Sequence, residues 1–321
     1  MLPCRMCLTE RVSKRIDFAK ERRAQGRSLN TTVREFVRLI QPVAQQRGID
    51  LQARLDEASA RESEERRLLA ECPQESVVPL FIGYSGGQPD RIGSCVLVCL
   101  DSDLFAFTAA HVIREAGNAR LFAPSEGRGG MLLPLPPWTA HLSSSEIHND
   151  LDVGVLVLPA RQLGPFQRRA FLSGAEIDQN DQPDDQGLAS FYFVLGYSAA
   201  RTQVKVSRAE RHIHQQSFQC STNPVDAAEY LQEKTPRADH ILLDFDHKEI
   251  VIGGRRVNPP KLQGVSGAGI FHISRKTKQG PLVAIGTQNR RNSRLIVGTR
   301  IKHFLAMVRE LKAKSRSYES E

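Results

Sequence analysis

Three short segments limit what this chain can fold into. Gly264-Val-Ser-Gly-Ala-Gly269 has the form G-x-S-G-x-G, and Thr108-Ala-Ala-His-Val112 lies well upstream of it. Between them, Asn149-Asp-Leu-Asp-Val-Gly-Val-Leu-Val-Leu158 places acids at the opening of an apolar, β-prone run. A serine hydroxyl is a poor nucleophile at neutral pH and needs a base to take its proton as it attacks a carbonyl carbon. The base in turn needs a carboxylate that fixes its tautomer. His111, one of the two acids Asp150 and Asp152, and Ser266 supply those three groups, and residues so far apart in sequence can meet only through a tertiary fold. His111 follows Phe105-Ala-Phe-Thr108, so it is predicted just past a strand end, where an imidazole can face a cleft.

In the order His, Asp, Ser, these segments resemble the trypsin/chymotrypsin-like serine protease superfamily, in particular its disulfide-poor bacterial branch, which includes the glutamyl endopeptidases. The resemblance runs from about Val77 to about Lys312. Ile92-Gly-Ser-Cys-Val-Leu-Val98 resembles the family's G-S/T-G-x-L-V strand, and Phe193-Val-Leu-Gly-Tyr197 a G-Y-P strand end with Ser198 in place of the proline. Leu295 to Leu305 is similar to the last strand and closing helix. The fold implied is mainly β: two antiparallel six-stranded β-barrels with an N-terminal helical segment and a C-terminal helix. Residues 73–187 would form the first barrel with His111 and Asp152, and residues 188–321 the second with Ser266 and the closing helix. Residues 1–72 would be a helical accessory segment.

The resemblance also assigns roles. The family's acid immediately precedes a strand; Asp152, followed by Val-Gly-Val-Leu, fits this, and Asp150 does not. The catalytic set implied is His111, Asp152 and Ser266, with the backbone N–H groups of Gly264 and Ser266 as the oxyanion hole and no cofactor or metal. A side chain at 264 would obstruct the tight turn that hole needs. The specificity pocket would be lined by residues 260–263 and by Ile285 to Gln288, with Gln263, Thr287 and Gln288 touching substrate, and the edge of the strand Pro281 to Gln288 would pair with the substrate backbone. Val265 stands where digestive trypsins carry an acid, so activation by a new amino terminus is not expected. Val112 replaces the usual cysteine beside the histidine. No aspartate is placed to select Arg or Lys, and Gly286 supplies no histidine to select Glu. The expected preference is a small or polar residue at the cut, with acidic residues nearby facing the arginines of Asn289-Arg-Arg-Asn-Ser-Arg294.

Composition narrows the class. The chain has 321 residues, 40% hydrophobic and 6% aromatic, enough for a double-barrel domain plus something smaller. No apolar run approaches the roughly 18 residues of a membrane span, and the N-terminus lacks an apolar signal region, so the expected location is the cytoplasm. Six cysteines do not make a disulfide framework; Cys95 and Cys99 read as core residues, and Cys4-Arg-Met-Cys7 as part of a flexible terminus. The net charge of +8 is concentrated in residues 275–321 and reads as a solvated closing helix. No nucleic-acid motif accompanies it, so nucleic acid is not an expected partner. His212 and His214 share a strand face without a third ligand, and His141 and His148 fall in a serine-rich stretch read as exposed loop.

Residues 1–72 carry helical patterns: Val12, Ile16 and Ala19 on one face, a capping box at Thr32-Val-Arg-Glu35, a stripe through Leu29, Val33, Phe36, Val37 and Ile40, and a charged stretch from Leu51 to Glu71. Such short helices are marginal alone and are expected to pack on the barrels, on a second copy or on a regulatory partner. The function expected from all this is an intracellular trypsin-like serine endopeptidase acting on protein or peptide substrates, regulated or targeted by its N-terminal segment. The rival from another class is a non-catalytic or latent protease-fold module that docks an acidic partner.

Overall fold

The computed structural model describes residues 75–319 with breaks at 84–88, 125–128, 136–138, 144–150, 161–162, 164–169, 179–189, 198–211, 215–216, 246–249, 253–254, 258–264, 275–279 and 291. Before residue 75 it describes Ala53, Asp56 and Ala60, all helical; the other helical patterns expected over residues 1–72 lie outside the described residues. Two compact units divide the chain, Met1–Glu64 with Gly253–Arg255, and Glu65–Ile252 with Arg256–Glu321. The second carries both large sheets.

The protein is mainly β, built on two curled antiparallel sheets and a C-terminal helix. The first sheet comprises β1 (Val77–Ile82), β2 (Asp90–Leu100), β3 (Asp103–Thr108), β4 (Leu121–Pro124), β5 (Gly129–Pro134), β6 (Thr139–Leu142) and β7 (Gly154–Leu158). A short helix, α1 (Ala110–Ala116), leaves the end of β3. The sheet also takes in β8 (Leu172–Ser173), parallel to β2, and β10 (His212–His214), paired with β5. The second sheet runs β11-β9-β15-β16-β17-β12. Its strands are β9 (Ser190–Tyr197), β11 (Ser217–Thr222), β12 (His240–Asp244), β15 (Gly269–Ser274), β16 (Leu282–Arg290) and β17 (Leu295–Arg300). Between β11 and β12 lies α2 (Ala227–Gln232), and between β12 and β15 lie the short strands β13 (Ile250–Ile252) and β14 (Arg255–Val257). The helix α3 (Ile301–Glu319) follows β17 without a break.

The apolar run of β2 explains how the layers assemble. Successive side chains of a strand point to opposite faces. Cys95 and Leu97 enter the core of the first sheet with Leu80, Ala106 and Leu156. Val96 and Val98 enter a second core that the two sheets share, where they join Phe107, Phe193, Leu195 and Ile285. A strand buried on both faces reads as continuously hydrophobic. The helix α3 closes this shared core with Ile301, Phe304, Leu305 and Val308, a stripe at helical spacing. Phe304 lies 5.3 Å from Phe107, ring centre to ring centre, and its full burial contributes about 1.5–3 kcal/mol. Lys312 then reaches back to the first sheet. Its Nζ donates to the Leu100 carbonyl at 3.0 Å and pairs with Asp101 and Asp103 at 3.1 and 2.9 Å. Asp101 and Ser102 both have positive φ, 52° and 71°, the turn that matches a two-residue hairpin between twisted strands.

Two stretches carry more structure than an exposed loop. The acidic stretch from Glu176 begins as folded structure: the Glu176 carboxylate accepts from the Ser173 N–H and hydroxyl at 2.8 Å, and the apolar Ile177 is buried in the shared core. His141, read from the sequence as exposed loop, instead lies in β6 and is half-buried, and its strand neighbours Ala140 and Leu142 pack on the first core. Burial, and then the charge of Lys314, hold its imidazole below the usual range. His148 lies outside the described residues. Among those described, no helix is long and apolar enough to cross a membrane.

Candidate active site

His111 sits in the first turn of α1, two residues after β3 gives way to the extended Ala109. Ala110, Val112, Ile113 and Ala116 are buried, which anchors the helix and leaves the His111 side chain 41% exposed. The strand β7 passes close beside this helix. A Cβ on Gly154 would lie 2.8 Å from Ile113 Cδ1 and 3.2 Å from the Ala109 carbonyl carbon, so that approach requires glycine. Asp152, just ahead of Gly154, is thereby brought to His111. The His111 N–H donates to Asp152 Oδ1 at 2.9 Å, and His111 Nδ1 pairs with Asp152 Oδ2 in a short contact. The Asp152 carbonyl accepts from the Ala110 N–H at 3.3 Å. Both carboxylate oxygens are therefore committed to one residue, and the Asp152 side chain is only 15% exposed. A carboxylate can only accept, so Nδ1 carries the proton and the Nε2 lone pair is left at the other edge of the imidazole. Asp150 lies outside the described residues.

Ser266 is half-buried in the turn Ser266-Gly267 that leads into β15. Backbone bonds hold this turn on both sides. The Ser94 N–H donates to the Ser266 carbonyl at 2.7 Å, the Gly267 N–H to the Gly286 carbonyl at 2.7 Å, and the Gly286 N–H to the Ala268 carbonyl at 2.8 Å. Gly267 has φ +85°, and a Cβ there would fall 1.8 Å from the Ser94 carbonyl oxygen and 2.5 Å from Thr108 Oγ1. Gly93 completes the junction, because its own Cβ position would be 2.8 Å from Val112 and 2.9 Å from the Ser266 carbonyl oxygen. The Ser266 turn thus lies against β2, beside the residue that follows His111. The Ser266 N–H has no acceptor among the described residues. Gly264, its expected companion in an oxyanion hole, lies outside them, as does Gln263.

Thr287 and Gln288 lie on β16, directly beyond Gly286. The register of β16 against β17 slips here: Gly286 faces Gly298 but Gln288 faces Val297, leaving Thr287 as an extra, bulged residue. Bulges of this kind re-aim side chains and gather beside active sites. Thr287 is buried and its hydroxyl donates to the Val297 carbonyl at 3.3 Å, while Gln288 is exposed. The last residue of β16 paired with β15 is Ile285, opposite Gly269. The β15-side edge of β16 from Thr287 to Arg290 therefore has no strand beside it among the described residues, and it starts next to the Ser266 turn.

Two residues here carry no chemistry of their own, and their place was not evident from sequence. Ser94 offers its N–H to Ser266, its carbonyl to the Thr108 hydroxyl at 2.7 Å and its own hydroxyl to the Tyr197 N–H at 3.0 Å. Thr108 sits within the T-A-A-H segment and Ser94 within the strand motif, yet nothing local marks the partners they reach. Among the described residues no group of three or more His, Cys, Asp or Glu is arranged to hold a metal ion.

No protein-family model matches the chain, and no curated protein matches it. Among solved structures, it is similar to the VesB protease of Vibrio cholerae, at 14% identity over 75% of this chain and 64% of that one, with a TM-score of 0.45. A Glu endopeptidase solved in complex with MPD is similar at 13% identity, over 75% of this chain and 92% of that one, with a TM-score of 0.40. The chain thus spans 64% of the length of the VesB protease it matches.

Proposed function

We propose that the chain is a serine endopeptidase that hydrolyses peptide bonds of protein or peptide substrates through His111, Asp152 and Ser266. One observation carries this reading above the others: Asp152 grips His111 twice, at the backbone N–H and at Nδ1. A merely packed histidine has no need of a partly buried carboxylate aligned with one ring nitrogen, whereas a general base does. In the mechanism that follows, His111 Nε2 takes the Ser266 hydroxyl proton as Oγ attacks the substrate carbonyl. Asp152 stabilises the imidazolium, and the backbone N–H groups of Ser266 and Gly264 receive the oxyanion. The imidazolium then gives its proton to the leaving amine. Water, activated by the same base, hydrolyses the acyl-enzyme and restores Ser266.

The open edge of β16 suits the substrate backbone. A strand laid there antiparallel to β16, as β15 and β17 are, runs in the direction of β15. Its C-terminal end then points at Ser266, and its upstream residues lie beside Gln288 and Arg290. Main-chain pairing of this kind supplies affinity without dictating sequence. Residues 1–72 are assigned the task of restraining the enzyme or bringing it to its substrates. The test is a fluorophosphonate probe, which reacts with an activated serine. Labelling of the wild type and not of Ser266→Ala, together with loss of peptide hydrolysis by a factor on the order of 10⁶ in that variant, is the expected result. Equal labelling of both proteins would remove Ser266 from the mechanism.

A further inference from the structure

At the Thr287–Arg290 end of β16 lies a small polar depression lined by Lys234, Thr235, His240, Thr287, Gln288 and Arg290, and by Val297 of the neighbouring β17. The bulge at Thr287 turns that residue and Gln288 toward it. Its charges are unevenly matched. Arg290 Nη1 is held by the Glu233 carbonyl at 3.1 Å, the Glu233 carboxylate at 2.9 Å and the Thr235 hydroxyl at 3.0 Å. Its Nε and Nη2 have no partner among the described residues. Lys234 is exposed and has no carboxylate partner among them either. It also adopts φ +51°, at the end of α2, where its N–H donates to the Leu231 carbonyl at 3.2 Å. That backbone position favours glycine or asparagine; strained residues of this sort gather at binding sites. Glu233, the acid next to Lys234, is already engaged by Arg290.

We propose that this depression is a subsite for a carboxylate side chain of the substrate, two or three residues upstream of the cut. The inference rests on the endopeptidase reading for the bound strand, and on Lys234 and Arg290 for its chemistry. In this reading, an upstream side chain leaving the β16 edge at Gln288, which lines the depression, is directed into it. There it meets the Lys234 ammonium and the Nε and Nη2 groups of Arg290, a fork suited to a carboxylate.

The test uses the full-length Ser266→Ala protein and fluorescein-labelled peptides that differ only by Glu or Gln at one upstream position, with binding read by anisotropy. Glu is expected to bind more tightly than Gln at one position by up to about fivefold, the ceiling for a pair of exposed charges. That preference should shrink as salt is raised from about 0.1 to 1 M, where the screening length falls from about 10 to 3 Å. Lys234→Gln should weaken the preference and Lys234→Glu should reverse it; both keep a side chain at the same backbone position, so the turn is equally strained in each. Equal binding of Glu and Gln peptides at every position, no peptide binding at all, or a preference that survives Lys234→Glu would each overturn the subsite. Because binding is read without turnover, a wild type that fails to label with the fluorophosphonate refutes the endopeptidase reading on separate grounds.

Discussion

The Ser94 hydroxyl accepts the backbone N–H of Tyr197 at 3.0 Å, and both residues are buried. This bond crosses from the sheet that carries His111 to the sheet that carries Ser266, and the Ser94 N–H makes the next crossing, to the Ser266 carbonyl at 2.7 Å. One residue of β2 therefore sets how the two halves of the candidate site meet. Ser94→Ala strands the Tyr197 N–H away from water, which costs about 1–3 kcal/mol. The expected result is a lower thermal midpoint together with slower fluorophosphonate labelling of Ser266. A variant that melts and labels like the wild type would show that the crossing does not position the serine.

Gly267 offers a sharper perturbation of the same junction. Its φ of +85° disfavours any L side chain, and its absent Cβ leaves room for the backbone of Ser94. Gly267→Ala is expected to break the contact between the turn and β2 and to abolish labelling of Ser266. Gly117→Ala is the control: φ is +54° there too, but the new Cβ would meet nothing nearer than the Arg114 carbonyl oxygen at 4.0 Å. That substitution should cost only the backbone strain, about 1–3 kcal/mol, and leave labelling intact. Comparable loss of labelling in both variants would point to general destabilisation.

Asp152 is distinguished from Asp150 by what each should do to turnover. Asp152→Asn keeps the shape of the side chain but presents an amide whose N–H₂ favours the wrong histidine tautomer, so a fall of about 10⁴ in kcat is expected with the fold retained. Asp150→Asn should change kcat little. Steady-state hydrolysis of one peptide by the two variants decides it, and the opposite ranking would remove Asp152 as the orienting acid.

What the sequence made legible was local. The apolar run of β2, the histidine after one strand and the acid before another are patterns within a few residues, and β2, β3 and β7 lie where those patterns put them. What it hid was non-local. Ser94 and Tyr197 are 103 residues apart, and Lys312 lies 212 residues beyond Leu100; no periodicity announces such contacts. The addition of β10 to β5 likewise depends on a free sheet edge created far earlier in the chain. The bulge at Thr287 follows from how β16 must register on β17 while Gly286 bonds the Ser266 turn, a demand set by three strands at once. Lys234 and His240 escaped notice for the same reason, since only the folded chain sets them beside Arg290.

Glu233 gives a prediction whose sign depends on pH. A hydrogen bond from Ser293 holds its carboxyl below the ordinary value of 4.5, and Arg290 adds to this, while burial pushes the other way. A carboxyl with a depressed value binds fewer protons in the folded state than in the unfolded one. Its contribution is therefore complete above pH 4.5 and is lost as pH falls through the folded value. Glu233→Gln removes that contribution at every pH. The wild type should accordingly melt above the variant at neutral pH, by the equivalent of at most about 1 kcal/mol for a partly exposed pair. The gap should close as the solution is acidified below about pH 4.5. Thermal midpoints of the two proteins from neutral to acid pH test this. A gap that stays constant or widens in acid would mean that the pair of Glu233 with Arg290 does not stabilise the turn from which Lys234 projects.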